Sequence, residues 1–252
     1  MWGVMLRFSV LFFIIASPIA AVRIVSLDVC ADQWVLWLFK PDAIAGVSYI
    51  SKDASLSFYA DRAQLHPSHH GAMEEILALH PDIVIAEGPI PARKKKLFQK
   101  LAIPFIELSP ITTFEDMQKR QQWFQEHFPG HLRDDILDWQ PMGDTIPTPQ
   151  KYVYMETYGH LRPSDNFLHR VFKRMGLEDA MDTPQKAYLH PEELALVEAD
   201  LMITKEGNRY ATPSNRTRYT CLAATTTTLC AVPPAIQKLC ETLHHCVRRH
   251  VH

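Results

Sequence analysis

From Val22 to Leu108 the chain alternates short apolar runs with amphipathic stretches. Val22-Arg23-Ile24-Val25-Ser26-Leu27 reads as a compact strand. Asp28 to Gln33 then offers cap chemistry for a helix through Trp34-Val35-Leu36-Trp37-Leu38-Phe39, which must stop before Lys40-Pro41. Ile44 to Ser48 is a second apolar run, leading into a polar loop with Tyr49, Ser51 and Asp53. Further on, a short helix precedes the strand-like Ile83-Val84-Ile85-Ala86, Lys94 to Leu101 is helical, and Phe105 to Leu108 is another strand. Strands that alternate with helices in this order predict a parallel α/β unit.

The second half repeats the pattern after an interruption. Thr112 to Phe128 has helical amphipathicity and His131 to Trp139 reads as a shorter helical piece, after which Pro141, Pro147 and Pro149 break the chain. Tyr152 to Met155 is strand-like, Asn166 to Met175 helical, and Ala235 to Val247 closes the chain as a helix. Thr225 to Thr228 takes no assignment from its pattern.

Two stretches 118 residues apart are nearly the same. Glu74-Glu75-Ile76-Leu77-Ala78-Leu79-His80-Pro81-Asp82-Ile83-Val84-Ile85-Ala86 aligns without a gap to Glu192-Glu193-Leu194-Ala195-Leu196-Val197-Glu198-Ala199-Asp200-Leu201-Met202-Ile203-Thr204. Each copy opens on two carboxylates, which suit a helix N-terminus, and closes on an apolar strand. The expectation is an α/β fold of two similar lobes, each a parallel sheet flanked by helices. Residues 22–111 form the first lobe, 112–150 a helical linker and 151–252 the second lobe, with a ligand cleft between them at the carboxyl ends of the strands.

Residues 1–21 carry Arg7, the apolar core Phe8 to Ala16 and the small residues Ser17 to Ala21, the layout of a cleaved secretory signal. Its removal takes one arginine, leaving 25 Lys and Arg against 28 Asp and Glu, so the net charge moves from −2 to −3. That balance gives no bulk attraction to nucleic acid or to an acidic membrane. The basic run Arg93-Lys94-Lys95-Lys96 reads as a solvated helix face. Five cysteines in an exported chain favour disulfides, with an odd one left over. Catalytic signatures are missing: there is no G-x-S-x-G or H-E-x-x-H, and the nearest two of the nine glycines, Gly130 and Gly143, are too far apart for a phosphate-binding loop.

Three segments carry a family resemblance: Arg23 to Gln33, Gly71 to Ala86, and the second repeat copy from Glu192. Together with Leu168 to Leu177 they resemble the cobalamin and ferric-siderophore class of substrate-binding proteins of ABC transporters. The resemblance implies a periplasmic monomer without cofactor or catalytic activity, which binds a small-molecule metal chelate in the cleft and delivers it to an importer permease. It implies that Glu74 and Glu192 dock onto arginines of that permease. It also implies a disulfide between Cys30 and Cys221, although Leu222-Ala223 stand where the family has glycines.

Strand ends then nominate the cleft residues. In the first lobe these are Asp28, Cys30, Asp32, Tyr49, Ser51, His69, His70 and Gly88; in the second, Tyr158, Gly159, Arg162, Gly207, Arg209 and Tyr219. His69-His70 leaves open a binding protein for haem or a bare metal ion, since imidazole is a common metal ligand. Cys240, His244, His245, Cys246, His250 and His252 near the C-terminus read as a polar tail. An exported α/β hydrolase is the remaining alternative.

Overall fold

The computed structural model describes residues 22–136, 146, 150–156, 166–181, 190–194, 196–206, 208 and 217–251. The expected signal segment therefore lies outside the described residues. Among those described, no helix is long and apolar enough to cross a membrane.

The first half runs β1 (Ile24–Ser26), α1 (Val29–Leu38), β2 (Ile44–Ser48), α2 (Ala60–Gln64), β3 (Ser68–His69), α3 (Met73–Ala78), β4 (Ile83–Glu87), α4 (Ala92–Lys100) and β5 (Phe105–Leu108). After α5 (Phe114–His127) come β6 (Gln150–Met155), α6 (Phe167–Arg174), β7 (Leu177–Asp179), α7 (Pro191–Leu194), β8 (Ala199–Lys205), β9 (Thr217–Ala223), α8 (Thr225–Thr228) and α9 (Pro233–Val251). All pairings in both sheets are parallel, with orders β3-β2-β1-β4-β5 and β7-β6-β8-β9. The protein is thus α/β with two parallel sheets flanked by helices, and β2-β1-β4-β5 corresponds strand for strand to β7-β6-β8-β9.

The repeated sequence has a common structural role in the two sheets. Asp82 accepts a hydrogen bond from the backbone N–H of Arg23 at 2.9 Å, just before β1. Asp200 accepts one from Lys151 N–H, also at 2.9 Å, at the start of β6. Each aspartate satisfies an otherwise unpaired donor on the central strand and fixes its register against the neighbour. Behind it, Ile76 and Leu194 occupy the same repeat position and are both buried.

Helix α1 is buried from Ala31 to Leu38, as expected of a helix covered on all sides. Trp34 packs on Trp37 (5.4 Å between centroids) and on Phe124 of α5 (6.3 Å). One apolar cluster runs from Ile24 and Trp34 through Phe124 to Phe172, Ile203 and Leu239, joining both sheets through α5. Helix α5 begins at a capping box, in which Asp116 N–H donates to Thr113 Oγ1 (3.0 Å) and Thr113 N–H to Asp116 Oδ2 (2.8 Å). The helical piece expected from His131 does not form over its described part. Gly130 takes φ +81°, Leu132 bridges Phe39, and Arg133 N–H donates to Leu38 O at 2.8 Å, so these residues close the end of α1 instead. Residues 137–139 of that expected piece lie outside the described set.

Candidate cleft between the lobes

The carboxyl ends of β4 and β5, the N-terminus of α6 and the turn from α8 into α9 converge on a cavity of about 380 Å³. Its walls are mixed: Ile111, Phe167, Leu168, Leu229 and Ile236 are apolar, and Glu87, Thr112, Asn166 and Thr228 are polar. A concave space that sets apolar side chains beside placed polar groups suits a small organic ligand or one edge of a larger one.

Asp28 lies at this end of the first sheet, where it builds the scaffold. It caps α1 by accepting from Cys30 N–H (3.1 Å) and Ala31 N–H (3.0 Å), and its other oxygen accepts from Glu87 N–H (2.7 Å). Asp32, one turn further along, is fully buried. Its carboxyl receives the hydroxyls of Ser26, Ser48 and Ser51 and the N–H of Ser48. Burial pushes that carboxyl up to about 7, against the pull of the serine hydrogen bonds. Asp32 and Ser51 thus tie together the ends of β1 and β2 from inside and do not line the cleft.

His69 is also internal, 1% exposed, with Nε2 2.8 Å from Ser26 O and Nδ1 accepting from Gly71 N–H at 3.1 Å. Those contacts fix a neutral tautomer, and burial lowers its pKa, leaving no ring nitrogen for a metal. His70 points the other way. It is exposed, lies 3.3 Å from Glu75 Oε1 and stacks on the half-exposed Tyr49 ring at 4.6 Å, forming an aromatic rim beyond β2 and β3. Gly88 adopts φ +90° where the chain leaves β4, a turn that disfavours any side chain. Among the described residues no three His, Cys, Asp or Glu side chains converge to hold a metal ion.

The expected Cys30–Cys221 disulfide is not formed. Cys30 bonds to Cys230 and Cys221 to Cys246. Cys221 is buried within β9, beside Ile203 and next to α9, whereas Cys230 follows α8 at the cavity wall, where the N-terminal turn of α1 arrives. The covalent link between the halves therefore exists, but through the later cysteine. Cys240 is the free, buried thiol, and burial pushes it up to about 12. Tyr219 is likewise misplaced by the strand-end reasoning. It is the third residue of β9, donates its hydroxyl to Gln150 at the start of β6 (2.9 Å) and stacks on His250 (4.6 Å), at the end of the sheet opposite the cleft. Tyr158, Gly159, Arg162, Gly207 and Arg209 lie outside the described residues.

Sequence reasoning missed an ion pair at the cavity. Arg120 of α5, 7% exposed, places Nη1 2.5 Å from Glu87 Oε2, donates from Nη2 to Ser109 O and lies 5.1 Å over the Trp34 ring. Only an apolar strand that ends in glutamate hinted at it.

Glu74 and Glu192 open α3 and α7. Each helix feeds a parallel strand, which puts its N-terminus on the cleft side of its sheet. Both side chains are exposed and take no hydrogen bond or ion pair among the described residues. Their neighbours bind the helix start instead: Glu75 accepts from His70 N–H (2.6 Å) and Glu193 from His190 N–H (3.2 Å).

No protein-family model matches the sequence, and no curated protein matches it. Solved structures do. The periplasmic heme-binding protein HutB of Vibrio cholerae superposes with a TM-score of 0.64 at 13% identity, over 90% of this chain and 99% of that one. The periplasmic heme-binding protein RhuT from Roseiflexus sp. RS-1 gives 0.61 at 12%, over 89% and 98%. The periplasmic vitamin B12 binding protein BtuF of Vibrio cholerae gives 0.55 at 16%, over 89% and 97%. At these identities the likeness establishes the fold, and the chain has the two-lobed α/β fold of these periplasmic binding proteins.

Proposed function

We propose that the chain is a periplasmic substrate-binding protein that delivers a metal chelate, a ferric siderophore or a cobalamin-like corrinoid, to an ABC importer without chemically altering it. Residues 22–111 and 151–252 serve as the lobes and 112–150 as the linker. The reading rests on Glu74 and Glu192. They occupy one repeat position in two lobes, are exposed on the cleft side, and are not needed for capping because Glu75 and Glu193 take the local N–H groups. Two fixed carboxylates of this kind suit a basic partner surface, giving orientation and on-rate. The fold shared with periplasmic heme-binding and vitamin B12 binding proteins supports the ligand class. Haem is the second reading, favoured by the exposed His70 over the Tyr49 ring.

The test is a double reversal, Glu74→Lys with Glu192→Lys. Affinity for cyanocobalamin, ferrichrome or haem, whichever the wild type binds by calorimetry, should stay within about twofold. Uptake through the cognate permease in vesicles should be lost, since facing like charges cost several kcal/mol at an interface. Normal uptake by the folded double variant refutes the docking role.

A further inference from the structure

Among the described residues, the cavity wall carries a single charged side chain, and it is a carboxylate. We propose that Glu87 is a specificity-determining residue of the cleft, selecting ligands that present N–H donors, such as primary amides or an ammonium group, over ligands that present carboxylates. The assignment rests on the substrate-binding role proposed above and names the chemistry that role accepts.

Glu87 ends β4 with its side chain 14% exposed. Its Oε2 holds Arg120, while Oε1 accepts no hydrogen bond from any described residue, although Glu87 lines the cavity. A carboxylate oxygen accepts hydrogen bonds and cannot donate them when ionised, so an open one in a partly desolvated wall favours a donor opposite. The nearest cation cannot serve a ligand carboxylate instead. Arg120 is 6% exposed at its side chain and already bridges Glu87 and Ser109 O over the Trp34 ring.

The remaining wall groups are neutral. Thr112 donates its hydroxyl to Asp116 (2.7 Å) and Thr228 donates to backbone carbonyls of its own turn, whereas Asn166 gives its amide oxygen to Leu168 N–H (2.8 Å) and keeps its NH₂ as a neutral donor, so among the described residues the only charge on the wall is that of Glu87. Asp28 sits directly behind, with Oδ2 on Glu87 N–H at 2.7 Å. Burial raises the Glu87 carboxyl while the Arg120 guanidinium pulls it back down; ionised, Glu87 leaves the trio Asp28, Glu87 and Arg120 with one net negative charge at this corner. A ligand carboxylate entering it meets like charge in a site with little water, whereas an amide or ammonium meets an acceptor.

Two matched ligand pairs test this by calorimetry on the full chain. Cyanocobalamin, with side-chain amides, is compared with cobyrinic acid, which has carboxylates around the same ring type. Ferrioxamine B, with an ammonium group, is compared with its N-succinyl derivative. In the pair that binds, the wild type should favour the N–H ligand by at least about tenfold, and Glu87→Gln should remove most of that preference. Asn166→Asp keeps a good helix cap and adds a second carboxylate to the wall, so it should widen the gap even where Glu87→Gln fails to fold. Equal binding of both members by the wild type, or a gap unmoved by the folded variants, overturns the assignment alone. Binding of none of the four probes overturns this assignment, and failure to bind ferrichrome and haem as well overturns the proposed function with it.

Discussion

Asp32→Asn isolates the charge most deeply placed in the first lobe. Asp32 is fully buried and receives three serine hydroxyls and one backbone N–H. Burial, the largest influence, raises its carboxyl from the ordinary 3.8 to about 7. Between those values the folded protein holds a proton that the unfolded chain has released, so unfolding free energy falls as pH rises through this window and is flat above it. At 1.36 kcal/mol per pH unit, Asp32 alone removes on the order of 3 kcal/mol between pH 5 and pH 8. Asparagine does not titrate, but its NH₂ group faces donors, a mismatch costing about 1–3 kcal/mol at every pH. Denaturant unfolding at the two pH values measures both effects. The variant should be clearly less stable than wild type at pH 5, and the difference should shrink or reverse at pH 8, with all other titrating groups cancelling in the comparison. A difference that is constant or grows with pH would mean that the four donors outweigh burial and that Asp32 is ionised throughout, refuting the reasoning.

Non-reducing peptide mapping should recover Cys30 joined to Cys230 and Cys221 joined to Cys246, with Cys240 unreactive to alkylation until the protein unfolds; a Cys30–Cys221 peptide contradicts the structure. Replacing both Cys30 and Cys230 by serine should cost up to about 5 kcal/mol in the chain-entropy model, because the bond closes a 200-residue separation. The Cys221–Cys246 pair, 25 residues apart, should cost less, about 3 kcal/mol, and urea midpoints rank the two. Asp82→Asn and Asp200→Asn should each cost about 1 kcal/mol, and their double variant should be additive within about 0.5 kcal/mol, since the aspartates pair with different sheets. Strong non-additivity in urea unfolding would argue against equivalent, independent roles.

The legible parts of the fold are those set by local pattern. β2 matches the apolar run Ile44 to Ser48 residue for residue, and Asp28 caps α1 because aspartate before an apolar helix has few better uses. β3 and β7 have two and three residues, too few to show a period. β9 has polar residues at most positions because it is an edge strand with one neighbour, so its Tyr219 reads as a loop residue. The site was legible only as a location. Asp32 and His69 fall near strand ends in sequence, yet helical phase and the turn after β3 aim them inward, onto Ser26 side chain and Ser26 carbonyl respectively. Glu87 and Arg120 are 33 residues apart, and nothing local links them.

The repeat separates what folding needs from what it leaves over. Of the matched residues, Asp82 and Asp200 hold the central strands, Ile76 and Leu194 fill the core, and Glu75 and Glu193 accept helix-start N–H groups. Glu74 and Glu192 are the matched polar pair with no such role among the described residues, which is why a function outside the lobes is assigned to them. The same geometry constrains how far the two halves can part beside Glu87. Cys230 belongs to the cavity wall and is bonded to Cys30 at the head of α1, while the apolar cluster is continuous through α5. With the lobes joined at both places, separation at the cavity itself is limited to what one disulfide allows.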